Sequence, residues 1–398
     1  MPQHRKRHLL TDLGKSLKFS PIVGVLGHRQ VGKTTLCGDL AGDYETLDRS
    51  DALQLALDSP ETLLQRSVSR APLVIDECQL APTLFPALKE WGRVHRGPGQ
   101  FLLTGSVRFT SRKAIRESLT GRIIHWELLP MDLSESHSAP LPKVVPQLLK
   151  HDGAEQIYPR SRYFSEKTYE SAMTSGGLPG IFAVRDPRIR EQRFESQIET
   201  LLERDLRLVV ETSLEYRSLR NLLGLLAVQQ GLPLELALLS RSARISVPAL
   251  KGILRAFEAM FIIRTIDTDG TRRRPVVFFE DQGEAHHLAG NRKDLLLKMT
   301  CFLFSFVRQQ WAYRPELGAR VFQYRSRGGA FVPLAIQTKS GTLGFIPMLD
   351  ELPGKHEIAS ASSFLKQFSE SKCVFLHEGK ADRALSRTLR VLPLASLV

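Results

Sequence analysis

The stretch that most constrains this chain lies near its start, where residues 21–26 read Pro-Ile-Val-Gly-Val-Leu, a short apolar strand. It runs directly into Gly27-His28-Arg29-Gln30-Val31-Gly32-Lys33-Thr34, which meets the G-x-x-x-x-G-K-[ST] pattern at every fixed position. Thr35 then opens a helix-like segment to residue 40. Strand, glycine-bearing loop and helix start, in that order, build a cradle whose backbone N–H groups face an anion at a helix N-terminus. Within residues 27–35, the Lys33 side chain is expected to reach the β and γ phosphates of a nucleotide, and the Thr34 hydroxyl to bind Mg²⁺. A chain that carries such a loop is expected to be α/β, with the loop at the carboxyl edge of a parallel sheet.

Two further strands fit that sheet. Pro72-Leu73-Val74-Ile75-Asp76-Glu77 is apolar until its two closing acids. Asp76 is the expected Mg²⁺ partner, and Glu77 is placed to orient and deprotonate an attacking water. Gln100-Phe101-Leu102-Leu103-Thr104 ends in Gly105-Ser106. Thr104 and Ser106 either touch the γ-phosphate or the water, or cap the turn. Short strands at 44–48 and 123–128 complete a doubly wound pattern, with ligands at the strands' carboxyl ends. Arg108, Arg122 and Arg204 are the arginines available to stabilise a transferring phosphoryl group, and sequence does not choose among them.

The chain has 398 residues, 42% of them hydrophobic and 24% charged, which suits a soluble protein of two or three domains. The longest apolar run, 299–307, contains Thr300 and Ser305 and stops at Arg308, so no membrane association is expected. Arg5, Lys6 and Arg7 come without the apolar stretch of a secretory leader, and the expected location is cytoplasmic. Cys37, Cys78, Cys301 and Cys373 have no metal-ligand or C-x-x-C spacing and read as reduced structural thiols. The net charge of +13 favours a polyanionic partner, nucleic acid first and anionic lipid second.

Downstream, residues 134–162 hold Pro140, Pro142, Pro146 and Pro159 and read as a loop. A helix over 166–174 is broken by Gly176-Gly177-Leu178-Pro179-Gly180, and a long charged helix over 187–210 suggests a helical lid. Residues 214–278 suggest a winged helix, with helices at 216–230, 233–240 and 247–260 and a hairpin turning at Asp269-Gly270. Lys251 and Arg255 share the outward face of the third helix, and Arg272, Arg273 and Arg274 follow the turn, where a wing touches phosphate. Strand-like runs at 321–324, 331–337, 344–348 and 373–376, with a helix at 362–369, fill the remainder.

With these motifs in place, the chain resembles a family of prokaryotic AAA-type P-loop ATP-binding proteins. The resemblance covers most of the length. It rests on 27–34, on 73–77 with Gln79 and Pro82, and on Leu102-Leu103-Thr104-Gly105-Ser106. It continues through Ser118-Leu119-Thr120-Gly121-Arg122, Leu129-Pro130-Met131, Gly176-Gly177-Leu178-Pro179 and Phe278-Phe279-Glu280-Asp281-Gln282-Gly283. It implies an α/β, doubly wound ATPase core with a helical lid, a winged helix and a carboxy-terminal α/β region like restriction endonucleases. The expected division is a basic tail at 1–20, the core at 21–135, linker and lid at 136–213, the winged helix at 214–278 and the nuclease-like part at 279–398. Family members place a Glu-Val-Asp triplet and a later Glu-x-Lys in that last part. Here the aspartate position is Pro333, and 344–349 has no Glu-x-Lys, so the fold is expected without nuclease chemistry. The expected function is Mg²⁺-dependent ATP hydrolysis coupled to duplex DNA, a protein partner or a second copy. A non-hydrolysing ATP switch and a P-loop kinase are the alternatives. Glu77 favours water as acceptor over a kinase substrate.

Overall fold

The computed structural model describes residues 5–108, 123–150, 158–270, 274–290 and 294–398. Helix α1 (Leu10–Ser16) precedes strand β1 (Ile22–Gly27), and α2 (Lys33–Gly38) follows the loop. Then come β2 (Asp43–Thr46), β3 (Leu73–Asp76), α3 (Leu84–Val94), β4 (Phe101–Gly105) and β5 (Ile123–Leu128). The five strands form one sheet in the order β2-β3-β4-β1-β5, with every pair parallel. Every residue of β1, β3 and β4 is buried, as parallel strands covered on both faces require. With β4 on one side of β1 and β5 on the other, the carboxyl ends of β1, β4 and β3 bring Gly27, Thr104 and Asp76 to one edge.

Residues 5–20 differ from the expected basic tail. Arg7 is buried, and Leu9 and Leu13 of the α1 region pack with Val23, Val25 and Leu36 of the core. The supposed loop at 134–162 also differs, because helices span Leu133–Ser136 and Val144–Lys150. Pro146 sits in the first turn of the second, where a missing N–H costs nothing.

The middle of the chain holds α4 (Glu166–Ser175), α5 (Pro187–Thr200), α6 (Tyr216–Gln229), α7 (Leu236–Ala243) and α8 (Val247–Ala259). Strands β6 (Ile263–Gly270) and β7 (Val276–Phe279) and helix α9 (Gln282–Ala289) follow. The long helix expected at 187–210 is interrupted by a π-helical turn, Leu201–Asp205, before it ends at Leu206–Val209. Leu219, Leu222, Leu223 and Leu226 of α6 pack in one core with Leu250, Ile253 and Phe257 of α8 and with Phe279 of β7. Their three- and four-residue spacing puts each helix's apolar stripe on one face.

The last part comprises α10 (Leu295–Tyr313), β8 (Arg320–Arg325), β9 (Phe331–Thr338), β10 (Gly341–Pro347), α11 (Lys355–Gln367), β11 (Ser371–His377), β12 (Arg383–Ala384) and β13 (Leu389–Pro393). The expected hairpin pairs, and it does not stand alone. β6 pairs with β7 only over Ile263–Ile266, and its second half, Asp267 to Gly270, pairs in parallel with Phe322 to Arg325 of β8. The edge of β6 thus finds its hydrogen bonds in the carboxy-terminal strands, giving one eight-stranded sheet, β12-β13-β11-β10-β9-β8-β6-β7.

A helix of close contacts seats α9. Asp281 caps it, one carboxylate oxygen accepting from Glu284 N at 2.8 Å and the other from Gly177 N at 2.7 Å. A Cβ on Gly176 would lie 2.1 Å from Asp281 Oδ1, and one on Gly283 would lie 2.4 Å from Gly176 N. Gly176 leaves room for the Asp281 carboxylate, and Gly283 lets α9 approach the backbone of Ser175 and Gly176. Burial, against these hydrogen bonds, pushes the Asp281 carboxyl up to about 6.

Beside α9, a buried ionic network joins the parallel sheet to everything downstream. Glu280 Oε1 accepts from Arg264 Nε of β6 at 3.2 Å, and its Oε2 from Arg308 Nε of α10 at 3.0 Å. Glu127 of β5 bonds both Arg264 and Arg308, and lies 3.2 Å from Arg108 Nη2. Burial disfavours both carboxylates' charge, yet the arginines hold them below their usual 4.5. Their contribution to stability is therefore present above that value and is lost as pH falls through the lower folded values. Glu280→Ala, which strands buried guanidinium groups, is expected to cost about 3–5 kcal/mol at neutral pH, read from denaturant midpoints. It should also flatten the loss of stability on acidification.

Candidate nucleotide site

Three strand ends and one helix start meet around Asp76. Its carboxylate accepts from Thr34 Oγ1 at 2.7 Å, from Tyr44 OH at 2.7 Å and from Thr104 Oγ1. Lys33 Nζ donates to the carbonyls of Gly27 and His28, both at 3.0 Å. Burial draws the Lys33 ammonium below its usual 10.5, against the pull of Glu77 and Asp76. Glu77 follows β3 with φ of 55°, a left-handed backbone that is rare outside glycine and retained where function needs it. Its N–H donates to Thr104 Oγ1 at 3.3 Å, and its Oε2 accepts from Gln79 Nε2 and from Ser106 Oγ. Thr104 thus touches both acids, and Ser106 touches Glu77.

The loop's own side chains turn outward to hold it. Arg29 pairs with Asp205 of the π-helical turn at 3.2 Å, and His28 lies fully buried 3.3 Å from Glu284 of α9. Gln30 and Gly32 take positive φ, 61° and 97°, which carries the loop round into α2. Arg7 Nη1 donates to Val31 O at 2.7 Å while its Nε pairs with Glu135 at 3.1 Å. A cavity of about 520 Å³ opens on the far side of Gly32, lined by Arg5, Arg7, Thr35, Leu36, Pro179 and Phe182.

Lys33, Thr34, Thr35, Asp76, Glu77 and Thr104 therefore stand together. Among the arginines, Arg108 is enclosed with Glu127 and Glu280, and burial lowers it to about 10. Arg204 pairs with Asp48 and Asp205, and Arg122 lies outside the described residues. Sequence reading missed Tyr44, Arg7, Asp205 and Glu284, which reach the loop from strands and helices distant in the chain. Only a residue's approach in space marks them.

Comparison with known proteins agrees with this geometry. The AAA domain family model matches residues 19–137. Residues 19–137 thus form an AAA-type domain that carries the P-loop. A second model, a domain of unknown function (DUF8612), matches 166–295, spanning α4 to α9. The AAA-type domain is thus followed by a distinct matched segment that contains Glu284 and Asp205. The uncharacterized proteins Rv2008c of Mycobacterium tuberculosis and Mb2031c of Mycobacterium bovis are each 24% identical over 98% of this chain and 83% of their own length. Among solved structures, the Walker-type ATPase PABY2304 of Pyrococcus abyssi is 13% identical, with a TM-score of 0.42 over 70% of this chain and 94% of its own. A Pyrococcus horikoshii signal-transduction ATPase with numerous domains, PH0952, scores 0.25 at 11% identity over 80% of this chain and 50% of its own.

Of the other expected sites, Lys251 and Arg255 are exposed on α8, whereas Arg274 is paired with Glu235 and so is not a free wing cation. Arg272 and Arg273 lie outside the described residues. Pro333 sits inside β9, and among the described residues no group of three or more His, Cys, Asp or Glu could hold a metal ion. No described helix is long and apolar enough to cross a membrane. All four cysteines are buried, and none is in a disulfide among the described residues.

The shared hydroxyl at Thr104 yields a test. Thr104→Val keeps the shape but removes the contacts to both Asp76 and Glu77. Steady-state assays should show any nucleotide turnover falling by on the order of ten- to a hundredfold through misplacement of these acids. Nucleotide affinity should change little.

Proposed function

We propose that this protein binds Mg-ATP at residues 27–35 and hydrolyses it. The observation that carries the reading is the meeting of Lys33, Thr34, Asp76 and Glu77 at adjacent strand ends, with the Thr104 hydroxyl bonded to both the Asp76 carboxylate and the Glu77 main-chain N–H. The donors fit the metal: Asp76 and the Thr34 hydroxyl are hard oxygens 2.7 Å apart, and Mg²⁺ takes one or two protein oxygens together with phosphate oxygens. Asp76 and Thr34 would hold Mg²⁺, which would supply positive charge to phosphate oxygens, and Tyr44 and Thr104 would share Asp76 with it. Lys33 leaves the Gly27 and His28 carbonyls for the phosphates, a move that exchanges two neutral acceptors for an anion.

Glu77 is the base. Gln79 and Ser106 hold one of its carboxylate oxygens, which leaves the other to orient a water and take its proton as the water oxygen bonds the γ-phosphorus. The bond from phosphorus to the bridging oxygen breaks, and ADP leaves with that electron pair. The cavity beside Gly32 receives the nucleoside: Leu36, Pro179 and Phe182 give apolar contact to a base, and Arg5 and Arg7 give positive charge to its phosphate tail. A kinase reading would need an acceptor group other than water next to Glu77, and no feature of the described site favours one.

Lys33→Ala is expected to abolish ATP binding in calorimetry. Glu77→Gln is expected to bind Mg-ATP nearly as the wild type does and to turn over at least about a hundredfold more slowly. Wild-type turnover in Glu77→Gln would make Glu77 structural, and binding of Mg-ATP by the wild type without turnover would favour a non-hydrolysing switch.

We further propose that α8 carries the partner contact, with the three helices α6–α8 and the β6–β7 pair acting as a winged helix. Lys251 and Arg255 support this reading, since both are exposed and neither forms an ion pair among the described residues. A duplex-DNA contact made by these two cations should lose nearly two units from the slope of log affinity against log salt in Lys251→Ala/Arg255→Ala. An unchanged slope would move the partner from DNA to protein. The carboxy-terminal sheet is read as a nuclease-like fold without the acids and lysine for cleavage, since Pro333 offers no ligand.

A further inference from the structure

His28 belongs to the phosphate loop, yet its side chain points away from the nucleotide side and into the protein. Its Nδ1 lies 2.7 Å from the Arg29 carbonyl oxygen, which only accepts, so Nδ1 carries a proton. Nε2 then faces the Glu284 carboxylate at 3.3 Å. A neutral ring would turn a lone pair towards a carboxylate there, so the imidazolium is the species that suits the geometry. Burial works against that charge, and Glu284, the Arg29 carbonyl and Asp281 together more than offset it, leaving His28 above its usual 6.5.

Glu284 is itself fully enclosed, and neither of its carboxylate oxygens makes a hydrogen bond among the described residues. Its position is set by α9, whose cap Asp281 is held by Gly177 and whose Gly283 touches the backbone of Ser175 and Gly176. The carboxylate is therefore delivered to the loop by a helix that cannot shift without breaking a close backbone contact. On the loop side, the His28 carbonyl accepts from Lys33 Nζ at 3.0 Å and from Val31 N at 3.3 Å. Wherever the His28 side chain is held, the peptide that parks Lys33 is held too.

We infer that Glu284 is a positioning residue for the phosphate loop, which it fixes through an ion pair with the His28 side chain. The inference rests on the reading of residues 27–35 as the ATP site and assigns a carboxy-terminal determinant to that same site. Glu284 touches no phosphate. It lowers the disorder that the loop must lose when a triphosphate arrives, so its loss appears in nucleotide affinity more than in the chemical step. It also makes the loop responsive to the seating of α9 and, through it, to the helices beyond.

The test compares wild type with Glu284→Gln, which keeps the shape without the charge, and with Glu284→Asp, which keeps the charge one methylene further back. Hydrogen exchange of the amides of residues 27–33 in nucleotide-free protein, and Mg-ATP affinity and kcat, are measured for each. In Glu284→Gln, loop exchange should quicken and the ATP dissociation constant rise, each by roughly three- to thirtyfold, the range of coupling through packed contacts. The value of kcat at saturation should stay within about threefold, as expected when only binding is weakened. Glu284→Asp should fall between the two. Unchanged loop exchange and affinity in folded Glu284→Gln would overturn the inference. So would faster exchange spread evenly over α4, α6 and α9, the mark of a merely structural role. If wild type itself fails to bind Mg-ATP, the ATP reading falls, and the exchange comparison alone decides the role of Glu284. Should Glu284→Gln fail to fold, the same comparison in Glu284→Asp decides it.

Discussion

A buried carboxylate, Glu280, a half-buried one, Glu127, and the three arginines around them tie the parallel sheet to the rest of the molecule. Glu127 ends β5 of the parallel sheet, Glu280 follows β7, and Arg264 and Arg308 come from β6 and α10. The guanidinium groups of Arg264 and Arg308 also lie over the Trp311 ring, at 5.1 and 5.2 Å, and Arg108 lies over Phe261 at 4.4 Å. Charges so deeply placed persist only while every partner is present. They therefore specify how the AAA-type domain meets the rest of the chain more strictly than an apolar contact of the same size would, since a displaced apolar group loses less.

Around that joint, the phosphate loop is gripped from separate parts of the sequence. Arg7 reaches it from before the first strand, Asp205 from the π-helical turn and Glu284 from α9. On the opposite side of the sheet edge, Ser106 bonds Glu77, while Val107 enters the core of α6–α8 and Arg108 N donates to Ala259 O at the end of α8 at 2.9 Å. Three residues of continuous backbone, 106–108, thus lie between the Ser106 contact to the proposed base and the helix proposed to meet a partner. Hydrolysis and partner contact, if both occur, act on neighbouring peptides.

Much of this was legible in the chain itself. The loop at 27–34, the acids at 76 and 77 and Thr104 declare themselves because phosphate chemistry needs fixed residue types at fixed spacing on buried strands. The parallel strands were readable for the related reason that burial on both faces demands unbroken apolar runs. The grip on the loop was not readable. Glu284 and Asp205 sit in ordinary helical sequence, and a lone acid on a helix is usually a solvated one. The pairing of β6 with β8 was not readable, because hairpin residues announce a turn but say nothing about which third strand will take the open edge. Gly176-Gly177 and Gly283 were visible as motifs, but only their mutual approach explains them.

The splitting of β6 between two pairings has a mechanical consequence. Its first half belongs to the hairpin that completes the α6–α8 core, and its second half is hydrogen-bonded to β8. A swing of α8 about the AAA-type domain cannot be absorbed between β7 and β8, because the shared strand transmits it like a common axle. The eight-stranded sheet, out to β12, must travel with it. The long arm so created would turn a small rotation near Ala259 into a large displacement at the far carboxy-terminal edge, at β12.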